Sequence, residues 1–267
     1  NLPVTRDHLR QTVLDQQQLE RVLRACAAPE ACGRLQVDAA RIGYVGHALG
    51  AVLGGVSAAL GGIAAAALNE PAGDWLRVLA DTETLSLRCT LVDALIGAGV
   101  LRGETWDGGR NEQALCLGNS WKSEPRYLEF AATARWLLDP VDPVNYAARY
   151  AADGAPPLLL MEVVDDPLIP NSATFSFAGL LDVEPTAAAI ATSAMPEPSR
   201  AATLGGIQWL RYRPLPADSK QMFPGNAYGP GSLLVPAEPT PTMGAQAGQL
   251  GTLLMRVDLA TFLGGRL

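Results

Sequence analysis

Only two histidines, His8 and His47, occur among 267 residues, so everything after residue 47 lacks an imidazole. Four cysteines stand outside any zinc-ligand spacing, and with so little histidine no metal site and no cofactor are expected. Clustered positive charge is missing as well. The net charge is -7 with no run of Lys or Arg, which argues against nucleic acid as a partner. Charged residues make up 18% and hydrophobic ones 48%, a balance too apolar for disorder. The longest apolar run, 48–68, is broken by Gly50, Gly54, Gly55, Gly61 and Gly62. It reads as a buried helix followed by a buried strand, with a membrane span as the alternative.

Cysteine is sparse but even in number. Cys26 and Cys32 lie close in sequence, as do Cys89 and Cys116. Two disulfides would point to an extracellular, periplasmic or outer-surface location, although four free buried thiols would give the same sequence. No signal peptide is recognisable, and an opening on Asn1 rather than Met suggests processing or truncation.

The spacing of Leu9, Val13, Leu14, Leu19, Val22 and Leu23 predicts a helix over 5–26, with Thr5 as its N-cap. A turn with Pro29 and Gly33 follows. A strand at 41–45, a small-residue helix at 48–60 and a strand at 63–68 come next, closed by a loop at 69–73. Residues 74–150 lack this alternation. Helical stretches at 75–80, 85–98 and 127–138 surround a Gly/Asp/Asn-rich segment there, which reads as a helical insertion. A doubly covered strand is expected at 157–164, then a helix at 172–181, a strand at 207–212, a Pro/Gly-rich loop at 214–241 and a last helix to 263. The fold class is therefore α/β, a parallel sheet with helices on both faces. The expected organisation is a first core segment (1–73), a cap (74–150) and a second core segment (151–267). Few strands and a late first strand suggest the second part of a larger fold.

Gly46-His47-Ala48-Leu49-Gly50 joins the strand to the small-residue helix. That is the spacing of a nucleophile elbow, where glycines permit a sharp turn around a strained central residue. Alanine occupies the nucleophile position. A glycine-rich turn of another α/β fold is the bland alternative. A phosphate-binding loop fits poorly, because neither the dinucleotide fingerprint nor a Gly-Lys-Ser/Thr is present.

The chain resembles the bacterial extracellular lipase/esterase families of the α/β-hydrolase superfamily. The resemblance rests on Arg6-Asp7-His8-Leu9-Arg10-Gln11, on Arg41-Ile42-Gly43-Tyr44-Val45-Gly46-His47, on Leu138-Asp139-Pro140 with Asp142-Pro143-Val144-Asn145-Tyr146, and on Val164-Asp165-Asp166-Pro167-Leu168-Ile169-Pro170-Asn171. It implies that the early strands and one side of the oxyanion hole are absent from this chain, and that Leu49 supplies the other oxyanion amide. It further implies Asp166 as the triad acid, with Asp165 its competitor, and places the histidine in Gly229-Pro230-Gly231-Ser232-Leu233-Leu234, at about Pro230.

A change confined to the nucleophile would leave that histidine in place. Here Ala48 has no oxygen or sulfur with which to attack, and no base follows. Losing either partner removes on the order of a million-fold in kcat. No replacement emerges from sequence: His47 is expected to point away from the nucleophile side, and His8 to lie at the surface. Ser57 and Ser232 have no candidate base, and Asp165 and Asp166 should diverge. The expected role is that of an inactive hydrolase-like binding or structural subunit of an exported assembly, with another polypeptide completing the sheet. The alternatives are a lipase or carboxylesterase whose activity needs parts outside this chain, and a module binding a lipid, ester or other apolar ligand. Trp121, Tyr127, Phe130, Trp136 and Tyr146 would then line the pocket, though they read equally as core.

Overall fold

The computed structural model describes residues 1–28, 30–183, 186–187, 206–214, 227–238 and 246–267. The turn residue Pro29 and the loop segments 215–226 and 239–241 lie outside the described residues.

Five parallel strands form one sheet in the order β1-β2-β3-β5-β4. They are β1 (Gly43–His47), β2 (Ala65–Asn69), β3 (Leu158–Val163), β4 (Thr186–Ala187) and β5 (Ile207–Tyr212). The short β4 has no counterpart in the sequence reading. β1 lies two residues later than expected. Its backbone pairs with β2 from Gly43 opposite Ala65 to His47 opposite Asn69, which carries the strand up to the turn.

Side chains alternate between the two faces of the sheet, as the two-residue strand period requires. Ala66, Leu68, Leu158, Leu160 and Trp209 face α2 (Leu49–Ala59), α6 (Ala147–Tyr150) and α7 (Asn171–Ala178). Ala65, Ala67, Leu159, Met161 and Leu210 face α8 (Ala247–Gly264), which contributes Met255 and Phe262. Both faces are covered, which explains why β2 and β3 read as unbroken apolar runs.

Helix α1 (Leu2–Ala25) starts earlier than expected. Pro3 sits in its first turn, where a missing N–H costs nothing, and Thr5 falls inside the helix rather than capping it. Its apolar stripe is not all core: Val13 is buried, whereas Leu14, Leu19 and Val22 are exposed. α3 (Trp75–Asp81), α4 (Leu85–Gly97) and α5 (Pro125–Leu138) enclose an apolar cluster of their own around Trp121. Trp121 is fully buried and meets Tyr127 edge-on at 4.9 Å. Among the described residues no helix is long and apolar enough to cross a membrane.

Both cysteine pairs are disulfides, Cys26–Cys32 and Cys89–Cys116. The second ties α4 to the 3-10 turn 115–117 inside the α3–α5 cluster. Two intramolecular disulfides fit folding in an oxidising compartment. Chain entropy ranks the pairs, because cross-linking residues 27 apart restricts the unfolded chain more than cross-linking residues 6 apart. The Cys89→Ala/Cys116→Ala double variant should lose roughly 3–4 kcal/mol in urea unfolding, against about 2 kcal/mol for Cys26→Ala/Cys32→Ala. Equal losses, or a larger loss for the shorter loop, would contradict this ranking.

Candidate functional site

At the carboxyl ends of the strands the chain turns sharply three times, each time through a non-glycine residue with positive φ. Ala48 follows β1 (φ 48°), Glu70 follows β2 (φ 57°) and Asp165 comes two residues after β3 (φ 60°). Ala48 combines φ 48° with ψ -114°, outside the ordinary left-handed well. A non-glycine residue there costs on the order of 1–3 kcal/mol. Gly46 makes the turn possible, because a Cβ on it would collide with the Gly50 carbonyl. Gly50 itself has open space where a Cβ would be. The first glycine is therefore required by close approach and the second is not.

The Ala48 carbonyl opens α2, accepting from Ala51 and Val52 at 2.9 and 3.0 Å. Leu49 is the first residue of α2, where an amide has no intrahelical acceptor; its side chain is exposed. The Ala48 methyl packs with Val52, Val78, Ile169 and Ala173. Apolar side chains thus surround the position a nucleophile would hold.

Asp166 is buried, whereas Asp165 is exposed and uses its backbone N–H to bond Asn171 Oδ1 at 2.8 Å. Oδ1 of Asp166 accepts the N–H groups of Leu168 (2.7 Å) and Ile169 (3.0 Å), which fixes the carboxylate in its turn. That settles which of the two faces inward. The other oxygen, Oδ2, has no donor among the described residues, and neither does Oε2 of Glu70.

Glu70 explains both. It is 1% exposed, and its Oε1 accepts the Gly231 N–H at 3.0 Å. Burial, then the neighbouring Asp166 charge, pushes its carboxyl up to about 8. Near neutral pH it therefore carries a proton, and that proton, placed between the two carboxyl groups, would satisfy both oxygens. Asp166 is itself raised, by burial first, with the two backbone donors and His47 acting against it.

His47 joins this group from β1. Its Nδ1 lies 3.0 Å from Asn69 Oδ1 and 3.8 Å from Glu70 Oε2. Asn69 donates its amide to the Met161 carbonyl at 3.3 Å, so its oxygen faces His47 as an acceptor and Nδ1 carries the hydrogen. Nε2 lies 3.8 Å from where a Cβ on Gly231 would stand. The His47 ring thus has polar neighbours, whereas the Ala48 methyl lies against an apolar cluster. His47, Glu70 and Asp166 come together at the ends of β1, β2 and β3, a titratable group that the sequence reading did not assemble.

Pro230 is exposed, and it is its neighbour Gly231 (φ 81°) that reaches inward. Ser232 Oγ accepts the Gly229 N–H at 2.7 Å and serves that turn, while Ser57 bonds Gln17. His8 is exposed on α1. The aromatic candidates differ in their surroundings. Trp121 and Tyr127 are core, Trp136 is 70% exposed, and Tyr146 bonds the Pro140 carbonyl. Among the described residues no group of His, Cys, Asp and Glu could hold a metal ion. Sequence reading passed over Glu70 because Asn69-Glu70-Pro71 looks like an ordinary loop. The available signal was its place directly after a buried strand of a parallel sheet, where sites of such sheets gather.

No protein-family model and no curated protein sequence matches the chain. It is similar to two solved structures of Pyrococcus horikoshii acylaminoacyl peptidase, one uncomplexed and one in an orthorhombic crystal form. The TM-scores are 0.39 and 0.37, each at 14% identity over 83% of this chain. The chain spans 24% of the length of those proteins.

The carboxyl pair makes stability depend on pH. Glu70 binds its proton more tightly folded (about 8) than unfolded (4.5), so the native state holds the extra proton between those values. Stability therefore falls as pH rises from about 5 to 8, by at most about 1.4 kcal/mol per unit from this group. Glu70→Gln keeps a donor for Asp166 and an acceptor for Gly231 but cannot ionise. It should flatten the decline of Tm across pH 5–8 and melt higher than the native chain at pH 8. An unchanged slope would refute the shared proton.

Proposed function

We propose that this chain is a catalytically silent module of the α/β-hydrolase type, retained as a binding or structural subunit of an exported assembly. The observation that carries the proposal is Ala48. The strained φ/ψ of a nucleophile elbow is kept at a residue with no nucleophilic atom. A turn costing on the order of 1–3 kcal/mol is expected where a side chain must be presented. Here it presents a methyl group packed among apolar neighbours. The acid position is compatible with the same reading, since Asp166 lies beside the carboxyl of Glu70, and the imidazole that acts on it is His47 of β1 rather than a residue of the 229–234 segment.

The other edge of the sheet supports the subunit role. β1 pairs with β2 alone among the described residues, and Val45 on it is 48% exposed. The helices on the two sides of the sheet also carry exposed apolar side chains. Leu14, Leu19 and Val22 lie on α1, which packs on α2, and Leu253 and Val257 lie on α8. An open edge strand with an exposed apolar side chain suits pairing with a further strand. The partner is then a polypeptide that extends the sheet, and the two disulfides fit its assembly outside the reducing cytosol.

Purified chain should hydrolyse p-nitrophenyl acetate and butyrate no faster than buffer. A rate above background that follows the protein through successive purification steps would overturn the proposal.

A further inference from the structure

A second site lies on the far side of α3 from the elbow. Val78 of α3 packs with the Ala48 cluster, whereas Leu76 and Ala80 face the opposite way, toward α5. Between α3, α5 and the 3-10 turn 120–123 is a cavity of about 310 Å³, at the lower end of the roughly 300–1,000 Å³ typical of small-molecule sites. Leu76, Leu128 and Ala131 form apolar walls, and Tyr127 lies almost wholly buried in its lining. Arg77, Lys122 and Arg135 bring three positive charges to it.

The acids beside these cations are already engaged. Asp81 accepts Lys122 Nζ on Oδ1 and Ser172 Oγ on Oδ2, both at 2.8 Å. Asp74 takes Nε and Nη2 of Arg135, each at 3.0 Å. Arg77 meets Asp74 only through Nε at 3.7 Å, beyond hydrogen-bond distance. Asp142 also acts on Arg135, so Asp74, Asp81 and Asp142 match the three cations in number, and it is geometry that leaves Arg77 without a close partner. The Arg77 guanidinium and Arg135 Nη1 remain as unused donors among the described residues. Burial holds the Tyr127 phenol in its protonated form, a neutral donor beside the apolar walls.

We infer that this cavity binds a small monocarboxylate with a short apolar body. The carboxylate would lie against Arg77 and Arg135, and the apolar body along Leu76, Leu128 and Ala131. A planar guanidinium recognises a carboxylate through paired N–H donors. The apolar walls favour an alkyl chain over a bare inorganic anion. The site is independent of the elbow and of its loss of chemistry.

The test is isothermal titration of the native, disulfide-bonded chain at pH 7 with hexanoate, hexylamine and inorganic phosphate. Hexanoate should bind saturably at one site, at least tenfold more tightly than either of the others. Arg77→Met should weaken hexanoate at least tenfold. Leu128→Asp, which puts a carboxylate into the apolar wall, should abolish binding. Arg77 and Leu128 are both exposed, so each variant should keep the native circular dichroism and Tm. The absence of saturable hexanoate binding to the native chain would overturn the inference. So would equal affinity for phosphate or hexylamine, or unchanged hexanoate binding in either variant.

Discussion

The architecture of the site depends on one backbone conformation, the positive φ and negative ψ of Ala48 between β1 and α2. It fixes where α2 begins, because the Ala48 carbonyl accepts the first helical hydrogen bonds. It forces Gly46, since only a residue without Cβ can lie against the Gly50 carbonyl. It also sends neighbouring side chains to different places. The Ala48 methyl enters an apolar cluster with Val52 and Ile169, and the His47 ring lies on Asn69 beside Glu70. The alanine side chain makes only apolar contacts there, with no polar interaction that would call for the strained turn.

Around this turn, the ends of β2 and β3 have been joined by a different chemistry. A buried carboxylate in a hydrolase triad needs a base to orient; here Asp166 has another acid. Two ionised carboxylates in such a place would repel strongly, and a shared proton removes the repulsion while leaving one hydrogen bond. Glu70 also holds the Gly231 amide, so the 229–235 segment is anchored to the sheet through the same side chain. The group thus has the features of a static clamp between the strand ends and that segment.

Much of the fold was legible because the chain is locally consistent. Alternating faces in Ala65–Leu68, the apolar run Leu158–Val163 and the glycine-bounded turn at 46–50 each carry their own signal. β5 was legible to the residue, at Ile207–Tyr212. β4 was not, since two residues cannot carry a period. The helix stripe of α1 was misleading in one respect: periodicity marks apolar residues, but not whether this chain covers them, and Leu14, Leu19 and Val22 lie outside its core. At the site, the sharp turn at Ala48 was legible from the glycine spacing, and the grouping of Glu70 with Asp166 and His47 was not. That grouping comes from three strand ends meeting at one point, a juxtaposition created by sheet order rather than by sequence neighbours. The same holds for the cavity between α3 and α5, whose charges come from Arg77, Lys122 and Arg135 on three separate elements.

The central claim is that the elbow survives as geometry while its chemistry is gone on both sides of the bond to be broken. The most direct measurement is covalent labelling of the Ala48→Ser variant with a fluorophosphonate, read by intact-mass spectrometry. With no imidazole after residue 47, the His47 ring bonded to Asn69 and Asp166 beside Glu70, no adduct above that of the native chain is expected. Stoichiometric modification at position 48 would contradict it, because a base able to activate that serine would then have to exist within this chain.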